Sequence, residues 1–378
     1  MMKIVIASDS YKGCMSSKEV ANIVEKAATD VSSDIEVVKI LVADGGEGFV
    51  EAMIHAKQGK IKTHKTVDAL LNPKVCKYGV FEDTVVIEVA QVIGLKKERG
   101  KTLKPGKSSS FGVGLLIKGA IEKGYEKFII GLGGSSTNDG GLGILCALGV
   151  EFFDSKGKKL NPNAENLSKI SKIDSSLMLD LTGIEVLVAC DVRNKLLGVE
   201  GATYIFGPQK GITPTLLPVF EEGMINYCNV IKDTFNIELN SYVGGGAAGG
   251  IGAVLLGFFK AKMRLGIELL LETVEFEKLL AGCDLVITGE GQTDAQSLQG
   301  KAVFGISSLS KKYNVPTICI SGVLREGYQR LYGNGIVGAY SILKAPSSYP
   351  QAFVQAKNNL YDTAFSLIKT IYSIKDVK

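Results

Sequence analysis

The chain has 378 residues, of which 46% are hydrophobic and 22% charged, a composition typical of a soluble globular protein with about two domains. Its net charge of +4 is too small over this length to indicate binding to nucleic acid or to an anionic membrane surface. The longest apolar run, residues 251–259, is about half a membrane span, so no transmembrane segment is expected.

Cysteine and histidine usage narrows the possible chemistry further. The seven cysteines contain no Cys-x-x-Cys pair, which argues against a zinc ribbon or a dithiol redox site. Their odd number and wide spacing are typical of reduced thiols, and we expect a cytoplasmic protein. Only His55 and His64 are present, so a histidine triad or histidine metal cage is not expected. Acid–base or metal chemistry would therefore use carboxylates and lysines.

The first sixty residues alternate between strand and helix. Residues 3–7 and 35–40 are apolar runs that predict strands. Ser16 and Glu19 have the spacing of a capping box at the start of a helix, and a second helix is predicted from Phe49. A β-α-β-α order indicates a parallel sheet.

The pattern changes in the middle of the chain. Three short runs, 62–67, 74–80 and 84–89, predict antiparallel strands. The next predicted elements are a helix over 108–123 with Phe111, Leu115, Ile117 and Ile121 inward, strands over 127–130 and 184–189, a loop over 206–211, and a helix from Pro214 toward 235.

The last hundred residues return to β/α alternation. The predicted elements are strands over 284–288, 316–320 and 336–343 and helices over 302–312 and 351–373. The simplest architecture is an α/β domain built from residues 1–65 and 287–378, with a mixed domain inserted at 66–286.

A glycine-rich loop, residues 131–143, links the strand at 127–130 to an apolar helix. Such a loop is either a tight structural turn or an anion-binding site at a helix N-terminus. A second glycine cluster, residues 243–252, loosely resembles it with small residues in place of the polar ones. We expect that cluster to serve close packing or a hinge.

Several predicted strands end in a carboxylate beside glycine or small polar residues. These carboxylates are Asp9, Asp44, Glu47, Asp139, Asp191, Glu290 and Asp294. In open parallel sheets, ligands bind beyond the carboxyl ends of the strands. Carboxylates there can hold Mg²⁺ or accept a proton from a hydroxyl. One such residue alone would more often be a helix cap, but the recurrence favours a site.

Two lysines join this pattern. Lys12 follows Asp9, and Lys301 follows Gly300 just before a predicted helix, a context that predicts phosphate contacts. No Walker-type P-loop is present, and no Gly-x-Gly-x-x-Gly follows the first strand. Carboxylates, lysines and glycine-rich loops without histidine suit phosphoryl transfer.

A series of motifs along most of the chain carries a family resemblance. In order they are Asp9-Ser10-Tyr11-Lys12-Gly13, Val42-Ala43-Asp44-Gly45-Gly46-Glu47-Gly48, Gly133-Gly134-Ser135-Ser136-Thr137-Asn138-Asp139-Gly140-Gly141, Ala189-Cys190-Asp191-Val192, Phe206-Gly207-Pro208-Gln209-Lys210-Gly211, Gly246-Ala247-Ala248-Gly249-Gly250 and Thr288-Gly289-Glu290-Gly291. The chain resembles the bacterial two-domain glycerate kinases. The resemblance implies a flavodoxin-like domain built from both termini and an inserted, restriction-enzyme-like mixed α/β domain.

The resemblance also implies the ligands, whereas the roles of individual residues are hypotheses from their chemistry. ATP, Mg²⁺ and D-glycerate would meet between the domains, with 2-phosphoglycerate favoured over 3-phosphoglycerate as product. Asp191 or Asp9 would take the hydroxyl proton, and Lys12 would neutralise negative charge. Substrate or ATP would be bound by Gly133, Gly134, Ser135, Ser136, Thr137, Asn138, Asp139, Lys210 and Lys301, and the metal by Asp44, Glu47 and Glu290.

Five positions depart from the residues usual in the family. They are Ser8, Cys14, Lys195, Gln292 and Gln299, where proline, serine, proline, arginine and histidine are common. The absence of an arginine at 292 leaves one fewer positive charge for a carboxylate or phosphate. A kinase for another small hydroxy acid or polyol and a non-catalytic nucleotide sensor stay open. A nicotinamide-linked oxidoreductase is disfavoured by the missing fingerprint glycines.

Overall fold

The computed structural model describes residues 2–95, 103–298 and 301–376. Its strands are β1 (Met2–Ser8), β2 (Ile35–Leu41), β3 (Lys60–Val67), β4 (Pro73–Phe81), β5 (Thr84–Glu88), β6 (Lys127–Gly131), β7 (Glu151–Phe153), β8 (Lys172–Asp174), β9 (Glu185–Ala189), β10 (Lys262–Arg264), β11 (Leu285–Thr288), β12 (Gln292–Thr293), β13 (Thr317–Ser321), β14 (Val323–Leu324) and β15 (Ile336–Ser341).

Helices connect most of these strands. The α-helices are α1 (Ser17–Val31), α2 (Phe49–Ala56), α3 (Val89–Ile93), α4 (Phe111–Ile121), α5 (Leu142–Ala147), α6 (Ala202–Phe206), α7 (Leu217–Phe235), α8 (Ile251–Phe258), α9 (Gly266–Thr273), α10 (Phe276–Leu279), α11 (Ala302–Lys312) and α12 (Tyr349–Asp376). Short 3₁₀ helices span Pro105–Lys107, Ala164–Lys169, Pro208–Lys210, Leu239–Ser241, Ala247–Gly249, Ala295–Leu298 and Tyr328–Asn334. Within the described residues, no helix is both long and apolar enough to cross a membrane.

The chain folds into two compact units. The first unit comprises Met1–Asp44, Glu51–Gln58 and Leu265–Lys378, and the second Gly45–Val50 and Gly59–Arg264. The predicted domain limits, 65/66 and 286/287, fall inside β3 and β11 and stay a prediction. Strand β3 belongs to the second unit because it pairs with β4 along its whole length. Helix α9 belongs to the first because it packs on α11.

The first unit is a five-stranded parallel sheet in the order β2-β1-β11-β13-β15. Numbered by chain position within this sheet, the order is 2-1-3-4-5, the order of flavodoxin-like sheets. Helices α1 and α12 cover one face and α11 the other, so alternate side chains of each strand are buried on opposite sides. The predicted capping box of α1 is confirmed, with Ser16 and Glu19 bonded reciprocally.

The second unit is a six-stranded mixed sheet in the order β3-β4-β5-β6-β9-β10. Strands β3, β4 and β5 are antiparallel, as the sequence predicted, whereas β5, β6, β9 and β10 are parallel. Glu88 at the end of β5 is in register with Gly131 of β6, and Gly131 with Ala189 of β9. The segments that follow β5, β6 and β9 therefore start along one edge of the sheet.

Three predicted elements of the second unit differ from the structure. Helix α4 is shorter than 108–123, and it buries Val113, Leu116, Ile117 and Ala120, while Phe111, Leu115 and Ile121 are only half-buried. The buried face is the one that packs on β3 and α5. The predicted loop at 206–211 includes a 3₁₀ turn. Helix α7 starts at Leu217 and not at Pro214, because residues 213–217 form a turn in which the Thr213 carbonyl accepts the Leu216 and Leu217 N–H groups.

Candidate active site

A cavity of about 500 Å³ lies at the carboxyl edge of the first unit's sheet. It adjoins the ends of β1 and β11, where the strand order reverses and where ligands bind in open α/β sheets. The two ends are tied together by the Asp9 N–H, which donates to the Gly289 carbonyl at 2.9 Å. Four predicted site residues line the cavity: Asp9, Lys12, Glu290 and Lys301.

Asp9 is the most enclosed of these side chains, with only 5% of its surface exposed. Its Oδ1 accepts the Ser10 N–H at 2.6 Å. Burial, followed by repulsion from Asp44, raises the pKa of Asp9 to about 7, while the Lys12 ammonium opposes that shift. A carboxyl group with a pKa near neutrality has the acidity suited to a general base.

Lys12 places a cation beside these carboxylates. Its Nζ lies 3.6 Å from Asp44 Oδ2, and its side chain is 74% exposed. The Asp44 carboxylate raises the pKa of Lys12, so the ammonium form is favoured. The surrounding loop is rigidly anchored, because buried Tyr11 donates its hydroxyl to the Ile320 carbonyl at 2.6 Å and its N–H to the Met15 carbonyl.

Glu290 is held by hydroxyl groups from the loop that follows it. Ser297 Oγ donates to Glu290 Oε1 at 2.6 Å, and Thr293 Oγ1 donates to the same oxygen at 3.2 Å. Burial raises the pKa of Glu290, and the Ser297 hydrogen bond and the Lys301 ammonium oppose the shift. Only glycine fits at 289, since a Cβ there would lie 1.7 Å from the Ile320 carbonyl oxygen.

Two of the family departures, Cys14 and Gln292, line this cavity. Gln292 lines the cavity and donates through Nε2 to Asp294 Oδ2 at 2.9 Å. Arg325, which the sequence pattern did not single out, lines the same cavity and supplies a guanidinium. It follows the two-residue strand β14, which is too short to give a strand signal. Gly300 and Gln299 lie outside the described residues.

In the second unit, Asp139 lies inside the glycine-rich loop and is fully buried. Its Oδ2 accepts the Ser110 N–H at 2.7 Å, the Ser110 hydroxyl at 2.8 Å and the Gly143 N–H at 3.3 Å, and its Oδ1 accepts the Gly141 N–H at 3.3 Å. Burial raises the pKa of Asp139, and the Ser110 bonds oppose this. The structure therefore gives this carboxylate an internal role, that of fixing the loop.

The neighbouring polar residues are also turned inward. Thr137 and Asn138 are fully buried, and Asn138 Nδ2 donates to Thr203 Oγ1 at 3.2 Å. Lys210 is buried too, and its Nζ donates to the Thr137 carbonyl at 2.6 Å. Burial lowers the pKa of Lys210 to about 7. Asn138 Nδ2 and Lys210 Nζ thus bond to partners inside the unit, whereas Thr137 Oγ1 and Asn138 Oδ1 have no hydrogen-bond partner within the described residues.

The second glycine cluster packs directly against the first loop. This agrees with close packing, one of the two roles expected for it. The Gly140 N–H donates to the Gly249 carbonyl at 2.9 Å. Gly249 has φ +70°, and a Cβ there would lie 2.0 Å from the Thr137 carbonyl oxygen. No larger residue could bring the two segments this close.

The loop's accessible part is its first half. Gly134 is exposed, and Gly133 and Ser136 are half-buried, whereas Ser135 is buried. The Ser136 hydroxyl donates to the Ile93 carbonyl at 2.8 Å. Ser136 and Lys210 line a second cavity of about 550 Å³, together with Lys74 and Lys104. Asp68 adds a carboxylate to the same lining.

Two further predicted residues lie along the same edge of the second unit. Asp191 is half-buried just beyond the end of β9. Glu47 is exposed in the segment whose Gly45 carbonyl accepts the Gly133 N–H at 3.0 Å. The predicted metal ligands Asp44, Glu47 and Glu290 belong to segments of different units. Across the described parts of the chain, no three His, Cys, Asp or Glu side chains form a ready metal-binding group.

Glu88 is a residue that sequence reasoning missed. It ends β5, is buried, and its Oε2 accepts the Gly48 N–H at 3.1 Å. Its Oε1 has no hydrogen-bond partner within the described residues. Burial raises its pKa to about 7, and backbone bonds from residues 48–50 oppose the shift. The sequence did contain a signal for Glu88. It is a carboxylate near the end of a predicted strand, as Asp9 and Asp191 are.

Replacing Glu88 by glutamine should flatten the pH dependence of stability. The folded-state pKa of Glu88, about 7, exceeds the ordinary value of 4.5. Its contribution to the free energy of unfolding is therefore full below about pH 4.5 and is lost as the pH rises through 7, a change of about 3 kcal/mol. Urea unfolding between pH 5 and 8 should show a shallower decline for Glu88→Gln than for the wild type. Exposed Glu185→Gln is the control, and equal slopes for all three proteins would contradict the prediction.

Comparison with known proteins agrees with this geometry. Residues 4–372 match the model of the glycerate kinase family. The chain belongs to the glycerate kinase family. It is 39% identical over 374 residues to a glycerate 2-kinase of Escherichia coli K12, with 98% of both chains covered. It is 37% identical over 366 residues to a glycerate kinase of Bacillus cereus, with 96% of both covered.

A solved structure is similar over the whole chain. It is a crystal structure described as glycerate kinase 2 from Salmonella typhimurium LT2, with a TM-score of 0.83, 36% identity and full coverage of both chains. Membership of the glycerate kinase family makes this protein a kinase, which disfavours the nucleotide-sensor and nicotinamide-oxidoreductase hypotheses.

Proposed function

We propose that this protein transfers the terminal phosphoryl group of ATP to the 2-hydroxyl of D-glycerate, giving 2-phosphoglycerate and ADP. The observation that carries the proposal is the convergence of Asp9, Lys12, Glu290 and Lys301 on one cavity at the strand-order reversal of a parallel sheet. Two carboxyl groups and two ammonium groups suit a reaction that depends on positioning and charge neutralisation. The E. coli relative described as a glycerate 2-kinase supports the choice of the 2-hydroxyl.

In this proposal, Lys12 neutralises charge on the transferring phosphoryl group or on the glycerate carboxylate. Asp9 or Asp191 accepts the proton that the attacking hydroxyl loses. Lys301, at the start of α11, and the accessible backbone of Gly133 and Gly134 contact phosphate oxygens. Thr137, Asn138, Asp139 and Lys210 act indirectly, because they hold the loop in shape.

The donor set suits Mg²⁺. Asp9, Asp44 and Glu290 interact electrostatically, and their carboxylate oxygens are the ligand type that Mg²⁺ prefers. Mg²⁺ is usually held by one or two carboxylates together with substrate phosphates, so a complete protein cage is not required. Of the three predicted metal ligands, Asp44 and Glu290 belong to the first unit and would hold it. When bound, Mg²⁺ would neutralise charge on the phosphates and orient them.

The finer fold assignment belongs to the same proposal. The 2-1-3-4-5 order of the first unit supports a flavodoxin-like domain. We assign the second unit as restriction-enzyme-like on the family resemblance alone.

The product of the reaction tests the proposal. The protein is incubated with ATP, Mg²⁺ and D-glycerate, and the product is examined by proton-coupled phosphorus NMR. A phosphate on C2 couples to one carbon-bound proton and gives a doublet, whereas a phosphate on C3 couples to two and gives a triplet. We expect the doublet. A triplet would overturn the choice of hydroxyl.

A panel of acceptors tests the substrate itself. Glycerol, glycolate, lactate and erythronate represent other polyols and hydroxy acids, and ADP release measures transfer to each. We expect D-glycerate to have the highest kcat/KM of the panel. A higher kcat/KM for another acceptor would mean that this compound, and not glycerate, is the preferred substrate. No ADP release with any acceptor would overturn the proposed activity.

A further inference from the structure

The lining of the first unit's cavity contains two chemically different sets of side chains. One set carries the charged groups of Asp9, Lys12, Glu290, Lys301 and Arg325. The other is apolar and is formed by Ile342, Leu343, Tyr349, Ala352, Phe353 and Ala356. We call this second set the apolar wall. Glycerate has a carboxylate and two hydroxyls on three carbons and offers no surface that matches the wall.

Two aromatic rings dominate the apolar wall. Tyr349 and Phe353 lie one turn apart at the start of α12, with ring centroids 5.3 Å apart and an interplanar angle of 32°. Tyr349 is 77% exposed and Phe353 is 38% exposed. Further along α12, Leu360, Ala364 and Ile368 are buried in the core of the unit. The first turn of the helix therefore extends beyond the core and presents its rings to the cavity.

The apolar wall contacts the loop that carries Lys12. Cys14 Sγ lies 3.9 Å from the Phe353 carbonyl oxygen. A Cβ added at Gly13 would lie 3.6 Å from the Phe353 ring. Lys12 is next in the chain to Gly13 and lines the same cavity as both rings. A ligand with a flat apolar part and an anionic part would match both sets.

We propose that the apolar wall is the subsite for the nucleotide base, which stacks on Tyr349 and Phe353 while the phosphates extend toward Lys12, Lys301 and Arg325. The inference rests on the proposed use of ATP and adds the location of its base. A volume of about 500 Å³ is within the range of small-molecule sites. Stacking of a base on an aromatic side chain contributes about 10- to 100-fold in affinity and tolerates any base.

A tryptophan reporter tests the location directly, because the protein contains no tryptophan. In Tyr349→Trp, saturable quenching of the emission is expected on addition of ATP or ADP. Inorganic triphosphate, which has no base, should cause little quenching. Val354→Trp is the matched control, since Val354 lies on the same helix, is 83% exposed and does not line the cavity. Unchanged Tyr349→Trp emission at ATP concentrations that saturate turnover would overturn the inference.

Steady-state kinetics give a second measurement. In Tyr349→Ala and Phe353→Ala, the KM for ATP should rise by about 10- to 100-fold, with kcat and the KM for glycerate little changed. Val354→Ala should match the wild type. An unchanged KM for ATP in both variants would overturn the inference even if glycerate is phosphorylated. Base-dependent quenching of Tyr349→Trp without any phosphoryl transfer would instead support the subsite and overturn the proposed activity.

Discussion

Replacing Lys12 by alanine should lower kcat for D-glycerate phosphorylation by about 100- to 1,000-fold, the effect of removing one preorganised charged donor from a reaction centre. The Lys12 ammonium lies 3.6 Å from Asp44 and faces the same cavity as Asp9 and Glu290. Charge that develops during phosphoryl transfer would lose its nearest cation. Because the side chain is 74% exposed, the thermal midpoint should hardly change. Steady-state rates and thermal denaturation of the variant check both statements.

Lys278 provides a matched control for this substitution. Its side chain is also 74% exposed, and it forms an ion pair with Glu275 at 2.9 Å away from the cavity. Lys278→Ala should therefore keep the wild-type kcat. The proposed roles would be wrong if Lys12→Ala and Asp191→Asn both retained near-normal turnover.

Asp139→Ala should destabilise the second unit by at least about 3 kcal/mol. The substitution removes a fully buried carboxylate and leaves up to four donors without their acceptor, each costing about 1–3 kcal/mol. Urea and thermal unfolding, followed by far-UV circular dichroism, should show an early transition. Asp139→Asn keeps an acceptor oxygen and should be less destabilised.

Asp154 supplies the control for this second prediction. It is an exposed carboxylate of the same unit that accepts the Lys156 and Lys158 N–H groups at 2.9 Å each. Asp154→Ala should cost at most about 1 kcal/mol, the range of a lost surface cap. If Asp139→Ala were as stable as Asp154→Ala and had lost only affinity for a substrate, Asp139 would be a ligand-binding residue after all.

Local sequence pattern was sufficient to predict most of the helices and strands of the first unit. The helix predicted over 302–312 is α11, Ala302–Lys312, and the capping box at Ser16 is formed as expected. Both follow from short-range rules, namely the 3.6-residue period and the hydrogen bonds of a helix N-terminus. The parallel sheet also follows, because β/α alternation leaves few other arrangements. The convergence of Asp9 and Glu290 then results from their positions at the ends of adjacent strands.

In the glycine-rich loop, local sequence pattern was insufficient to predict which side chains are accessible. Its polar sequence suggested a ligand-binding surface, yet Thr137, Asn138 and Asp139 are turned inward. Their orientation depends on partners far away in sequence: Ser110 lies 29 residues from Asp139, and Lys210 lies 73 from Thr137. No spacing rule reports such contacts. The inward face of α4 was misplaced for the same reason, since it depends on packing against β3 and α5.

The sequence by itself thus determined the family, the parallel sheet of the first unit and the strand-end carboxylates, because these depend on motifs and on neighbours close in the chain. Only the tertiary structure decided which polar residues of the loop are accessible, that Glu88 is a buried acid, and that Tyr349 and Phe353 face the cavity of Lys12. The physical reason is that burial and side-chain direction are set by long-range packing. In particular, the start of α12 lines the same cavity as Asp9, although the two are more than three hundred residues apart in the sequence.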